Sequence, residues 1–172
     1  MKNAKIDLVT IDEARFIEAC RLYSMWVKLF NAIKSQTSRG INMPDIISEQ
    51  MVCYALNLKW NKGRGGDASD ENGALIEIKA TSNYDSDLTS FSPQTHFDRL
   101  IFFRLNQEND TADIYDLGLT GDTIGNLKAN KTQSVSMQQR QGRRPRISLI
   151  QYIKDNNIQK LCTIDIMAHE II

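Results

Sequence analysis

Glu77 and Lys79 stand two residues apart in the run Ile76-Glu77-Ile78-Lys79-Ala80, and a Gly66-Asp67 pair precedes them, with Asp67 ten residues before Glu77. In an extended strand, residues two apart share a face. Glu77 and Lys79 therefore project together, while Ile76, Ile78 and Ala80 project into the core. With Asp67 brought alongside by a hairpin, two carboxylates and an ammonium group converge at one end of it, as metal-dependent phosphodiester hydrolysis requires. Magnesium takes oxygen ligands in octahedral geometry and is usually held by one or two carboxylates together with substrate phosphate. A nearby lysine can orient or deprotonate the attacking water and offset charge developing on the phosphate. On this reading Asp67 and Glu77 bind the metal and Lys79 serves the water. Asp70 competes with Asp67, because its spacing to Glu77 is also compatible. Asp67 is preferred because it follows a Gly-Gly approach and leaves room for a turn before the second strand.

A bare Glu-x-Lys is weak evidence, since composition alone should place one in about half of chains this long. A solvent-facing pair on an amphipathic strand is the ordinary explanation. The weight comes from the context: an alternating apolar strand, an upstream Gly-Asp, and a preceding helix that carries Glu49.

The elements that must hold these residues can be read from periodicity. A Thr10-x-x-Glu13 capping box opens a helix whose apolar face runs Phe16, Cys20, Tyr23, Val27 and Phe30, with Trp26 beside it, and which should end in the polar stretch from Ser35 to Gly40. A second helix starts near Pro44 and turns Ile47, Met51, Tyr54, Ala55 and Leu58 inward, leaving Glu49 off that stripe. The period then changes. The sequence predicts a short strand over 67–70, a turn at Glu71-Asn72-Gly73 with the Asn-Gly hairpin signal, and strands over 74–81, 99–105 and 112–117. Helices are expected over 123–129 and 148–156, and a closing strand over 161–167. Helices, then a mixed sheet, then helices describe an α/β fold built as a sandwich. At 172 residues the chain is expected to form one domain: mainly helical over 1–60, the catalytic sheet over 61–120, and a basic segment with the C-terminal elements over 121–172.

Charge is balanced in sum, with 21 basic and 21 acidic residues, but not in distribution. From Thr123 to Lys154 there are seven basic residues and no Asp or Glu, which leaves 14 basic against 21 acidic residues in the rest of the chain. Arg140, Arg143, Arg144 and Arg146 are interleaved with Gln138, Gln139 and Gln141. Arg can make two hydrogen bonds to guanine O6 and N7, and Gln two to adenine N6 and N7. Lys131 and Gln133, with Lys128, belong to the same stretch, where lysines suit phosphate contacts. Aromatic side chains, which stack on unpaired bases, are absent from Asp116 to Gln151, so duplex DNA is the better substrate. The polar residues after the catalytic strand, including Ser82, Asn83, Ser90, Ser92 and Gln94, are further candidates for contacts near the cut. An apolar leader and a run of 18 apolar residues are both missing, so a cytoplasmic protein without membrane contact is expected. Cys20, Cys53 and Cys162 are odd in number and widely spaced, which favours buried packing over a metal site. His96 and His169 are too far apart in sequence to suggest a site.

Gly66-Asp67 followed by Ile76-Glu77-Ile78-Lys79 resembles the core of the PD-(D/E)xK nucleases, with Gly66 where the motif's name has proline. The stretches Phe97-Asp98-Arg99-Leu100-Ile101-Phe102 and Gln141-Gly142-Arg143-Arg144-Pro145-Arg146 resemble small type II restriction endonucleases that cut GCNGC, a likeness running from about Ile46 onward. The resemblance implies a restriction-endonuclease-like core, a mixed β-sheet flanked by helices. It implies metal binding by Asp67 and Glu77 with Mg2+ as cofactor, Lys79 as catalytic lysine, and Glu49 as the helical acid many members add. It further implies a short GC-rich palindromic target, a homodimer whose subunits each cut one strand, and a cognate DNA methyltransferase. The first helix, through Tyr23, Trp26 and Phe30, is a candidate dimer contact, although burial of those residues in its own core is the plainer explanation. A resolvase or repair nuclease with the same metal site, and a silent DNA-binding module, are the rival expectations.

Overall fold

The structure is a computed structural model that describes residues 6–63, 65–93 and 96–172. Leu8–Thr10 (β1) is followed by two helices, Glu13–Lys34 (α1) and Asp45–Ala55 (α2), and then by Lys59–Asn61 (β2), Ala68–Ser69 (β3), Leu75–Thr81 (β4) and Thr89–Ser90 (β5). Arg99–Asn106 (β6) and Thr111–Asp116 (β7) lead to the short helices Gly121–Ile124 (α3) and Val135–Arg140 (α4). The chain closes with Arg146–Ile147 (β8), Leu149–Asn156 (α5), Cys162–Asp165 (β9) and Glu170–Ile171 (β10).

Eight strands form one mixed sheet in the order β1-β2-β3-β4-β6-β7-β9-β10, and β5 with β8 forms a separate two-stranded piece. Among the described residues, only β4 and β6 of the large sheet run parallel, with Glu77 opposite Leu100 and Lys79 opposite Phe102. A strand buried on both faces reads as continuously apolar, and β6 does: Leu100, Ile101, Phe102 and Phe103 are all fully buried. Its side chains alternate between two cores. Ile101, Phe103 and Leu105 join α1 and α2 on one face. Leu100 and Phe102 join Ile124, Val135, Leu149, Ile150 and Ile153 of α3, α4 and α5. The result is the expected mixed sheet flanked by helices.

The first helix starts later than its capping box implies. Thr10 is held in the β1 ladder opposite Lys59, so Asp12 becomes the N-cap and accepts the Arg15 N–H at 2.9 Å. Its apolar face is inward, with Phe16, Ala19, Cys20, Tyr23 and Trp26 buried. Tyr23 donates to Asp110 at 2.7 Å, and the Trp26 indole donates to the Ile41 carbonyl at 3.2 Å. Those two aromatics are therefore core residues and are not available as a dimer contact, whereas Met25 and Leu29 are exposed on the outer face. The helix expected over 123–129 is shorter and earlier, because Thr120 and Thr123 cap each other at its start. The three-residue strands β1 and β2 and helix α4 are too short to show a periodicity.

Candidate active site

The Gly-rich approach ends in two residues with positive φ, Gly65 at +97° and Gly66 at +90°, a backbone region that side-chain-bearing residues rarely adopt. Asn61 braces this bend, accepting from the Asp7 and Gly63 amides at 3.0 and 2.9 Å and donating to the Gly66 carbonyl at 3.0 Å. The bend delivers Asp67 between two strands. Its N–H donates to the Ile76 carbonyl at 3.0 Å, and its carbonyl accepts from Asn61 at 2.9 Å. Its carboxylate accepts the Ile78 N–H at 2.7 Å, holding the side chain against β4. Asp70 is used differently. It accepts the Asn72 and Ala74 amides at 2.9 Å each and so closes the hairpin turn, with an Arg99 guanidinium nitrogen 4.0 Å away.

On β4, Glu77 is buried, and the Lys79 ammonium donates to it at 2.5 Å. Lys79 also lies 5.9 Å from the centre of the Phe91 ring. From α2, Glu49 reaches the same place, its orientation set by a 2.8 Å hydrogen bond donated by the Trp60 indole. Burial pushes the Asp67 carboxyl up to about 7, reinforced by the negative charges of Glu77 and Glu49 and only partly opposed by the Ile78 amide and Lys79. Glu49 is raised for similar reasons, burial first and then Asp45 and Glu77, against the Trp60 hydrogen bond and Lys79. Three carboxylates thus share one partly buried location with one lysine. Trp60→Phe keeps a buried aromatic ring, though a smaller one, and removes the donor to Glu49; the lost hydrogen bond is expected to cost about 1–2 kcal/mol in urea unfolding, with the lost ring volume adding to it.

Glu49, Asp67 and Lys79 open onto a cleft of about 400 Å³ also lined by Thr81, Asp87 and Ser90, with Glu77 buried beneath its pairing with Lys79. Among the described residues, no three His, Cys, Asp or Glu side chains are gathered as a ready-made cation cage. The carboxylates of Asp67, Glu77 and Glu49 are oxygen donors of the kind that would suit a divalent cation, which is commonly held by one or two carboxylates and keeps water and phosphate ligands besides. A cation there would also relieve the mutual repulsion that raises Asp67 and Glu49.

The basic segment is joined to this cleft. Ser134 caps α4, and Gly142, with φ of +72°, lets the chain turn after it. Strand β8 then pairs with β5, Ser90 opposite Arg146 and Thr89 opposite Ile147, and β5 is itself part of the cleft wall. Lys128, Lys131, Arg140, Arg143, Arg144 and Arg146 are exposed. None has an acidic partner within ion-pair distance among the described residues. Gln141 is exposed at the end of α4. The other glutamines are partly engaged internally: Gln138 donates to Gln133 at 3.3 Å, and Gln139 donates to the Ser92 carbonyl at 3.1 Å. Of the polar residues after β4, Ser82 and Ser90 line the cleft, Asn83 lines a neighbouring groove, and Gln94 lies outside the described residues. Cys20 and Cys53 are buried free thiols, and burial pushes Cys20 up to about 11. No helix among the described residues is long and apolar enough to cross a membrane.

Sequence reading missed Asn61, Trp60 and Asp87. Each acts through a specific side-chain hydrogen bond that leaves no periodic pattern, and only the Ser148 that precedes Leu149 and Ile150, a helix-start signal, hinted at the place where Asp87 binds.

A family described as Bsp6I restriction endonuclease matches residues 11–156. The chain is 45% identical over 168 residues to the type II restriction enzyme Bsp6I of Bacillus sp. (strain RFL6), covering 96% of this chain and 97% of that one. No solved structure matches.

Proposed function

Because the chain belongs to the Bsp6I restriction endonuclease family, we propose that it is a Mg2+-dependent hydrolase that cuts phosphodiester bonds of double-stranded DNA at a short GC-rich palindrome such as GCNGC. The observation that carries this reading is the convergence of Asp67, Glu49 and Lys79 on a cleft, with buried Glu77 paired to Lys79, and a cleft wall that continues into an acid-free, arginine-bearing segment. When bound, magnesium supplies a Lewis acid that acidifies water and offsets charge on the phosphate. Asp67 and Glu77 hold it, and Glu49, kept in place by Trp60, adds negative charge beside them. Lys79, as an ammonium group, orients the attacking water by donating to it, and its charge opposes the charge that builds on the phosphate.

Recognition falls to Lys131, Gln133, Gln138, Gln139, Arg140, Gln141, Arg143, Arg144 and Arg146. The exposed arginines are the base readers, and Gln133, Gln138 and Gln139 also stiffen the segment that presents them. A palindromic target read by a compact protein calls for two copies related by a two-fold axis, each cutting one strand. Such an enzyme works in the cytoplasm and needs a methyltransferase of the same specificity to protect host DNA.

Incubation of the purified protein with plasmid DNA and Mg2+ tests the reading. Discrete fragments are expected, and sequencing their ends gives the site and stagger. Cutting confined to branched junctions, or retarded but intact DNA, would overturn it. Arg143→Ala and Arg144→Ala are each expected to slow cutting of that site by about 10- to 100-fold, the cost of one lost bidentate base contact. Unchanged rates in both would remove the segment from recognition.

A further inference from the structure

Asp87 lines the same cleft as Glu49, Asp67 and Lys79, yet both of its oxygens are already occupied. One accepts from the Ser148 hydroxyl at 2.7 Å and the Ile150 amide at 3.0 Å. The other accepts from the Leu149 amide at 2.9 Å and the Thr89 hydroxyl at 2.7 Å. A carboxylate so saturated by donors is poorly suited to bind a cation. It clamps the loop after β4 to the start of α5, directly behind the basic segment, where β8 is also paired with β5. The other end of the loop is fixed to the sheet. Arg104 donates to the Tyr84 carbonyl at 2.7 Å and stacks on the Tyr84 ring at 3.8 Å, and Gln107 donates to the Ser82 carbonyl at 2.6 Å. The loop is therefore a strut between the strand that carries Lys79 and the segment that carries the arginines.

We propose that Asp87 is a positioning residue that fixes the DNA-reading segment relative to the cleft, so that correct base contacts place the scissile phosphate against Asp67, Glu77 and Lys79. This rests on the proposed function of the cleft. The physical reason is alignment: misplacement of the reacting group by about 1 Å can cost about a hundredfold in rate. Without the clamp, base contacts and phosphate placement become independent, and the cognate site loses its advantage over a near-cognate one.

The test compares single-turnover cleavage, in Mg2+, of a duplex carrying the site mapped from wild-type digestion with cleavage of the same duplex changed at one base pair. In Asp87→Asn, which keeps the side chain's size but surrenders part of its acceptor capacity, the cognate to near-cognate rate ratio is expected to fall about tenfold or more. Retardation of the cognate duplex in gels should stay close to wild type. A purely structural defect lowers both rates through the folded fraction and leaves the ratio unchanged, which would overturn the proposal. If Asp87→Asn does not fold, Ser148→Ala decides, because it removes one of the three bonds between Asp87 and the α5 start. A reduced ratio supports the clamp and an unchanged one sinks it. Failure of the wild-type protein to cut plasmid DNA at all, so that no site can be mapped, would instead count against the nuclease reading itself.

Discussion

Lys79→Ala is expected to slow plasmid cleavage about 100-fold or more, the range that removal of one preorganised donor to a developing negative charge costs. The variant should still retard the cognate duplex, because the arginine segment is untouched. Lys79 is the cation nearest the three carboxylates, paired with Glu77 at 2.5 Å and open to the cleft. Its removal takes away both a partner for the attacking water and the charge that opposes the developing negative phosphate. Glu77→Ala is expected to lose activity to a similar extent by removing one of the two proposed metal ligands. It should also bring the Asp67 carboxyl back toward its ordinary range, since Glu77 is the strongest charge raising it. Normal cutting by both variants would move the active site elsewhere. Normal cutting by Lys79→Ala alone would leave the metal site in place but give the lysine a structural role.

Asp67→Asn should abolish cutting and at the same time stabilise the protein without metal at pH 8. In the folded chain burial pushes the Asp67 carboxyl from its ordinary 3.8 up to about 7, reinforced by the charges of Glu77 and Glu49. The native state therefore holds a proton that the unfolded chain releases, and this group's contribution to stability declines as pH rises from about 4 to about 7, then levels off. Each pKa unit corresponds to about 1.4 kcal/mol, and burial of the amide takes back part of the gain, so about 2 kcal/mol is expected at pH 8. Asparagine can still accept the Ile78 N–H, which preserves the local backbone. Thermal unfolding should show a higher Tm for the variant at pH 8 and little difference near pH 4. Millimolar Mg2+ should raise the Tm of the wild type and have a smaller effect on the variant, with EDTA reversing the shift. A variant less stable than wild type at pH 8 would mean that Asp67 is held charged and compensated in the native state.

The site shows a division between stability and chemistry. Asp67 and Glu49 are both pushed up by burial and by neighbouring carboxylates. A protein selected for stability alone would not gather three acids around one lysine, and the arrangement makes sense where a cation and a phosphate complete it.

Much of this was legible in the chain. The alternation in Ile76-Glu77-Ile78-Lys79 decides which side chains share a face, because a strand has period two whatever surrounds it, and β4 runs from Leu75 to Thr81. The apolar run of β6 and the helical periods of α1 and α2 were readable for the same reason: burial of a face imposes a pattern on many residues at once. An excess of arginine without acid between residues 123 and 154 is likewise a property of composition, and no folding is needed to see it.

Single contacts between distant residues leave no such pattern. Asp67 and Asp70 are both compatible with a turn before Glu77. The positive-φ bend at Gly65 and Gly66 and the brace from Asn61 turn Asp67 into the cleft, while the hairpin amides take Asp70. Tyr23 and Trp26 read first as the helix's own core face and second as a partner face, and burial decides for the core. The Trp60 bond to Glu49, and the Asp87 clamp across sixty residues to α5, exist only once the strands are stacked. The sequence by itself determined the chemical groups, the faces they share along each strand and helix, and the charge of the segment beside them, since local geometry and composition are set residue by residue. The tertiary structure alone decided which acid enters the cleft and how the arginine segment is tied to it, because those outcomes depend on which distant backbone amides are left to be satisfied after packing.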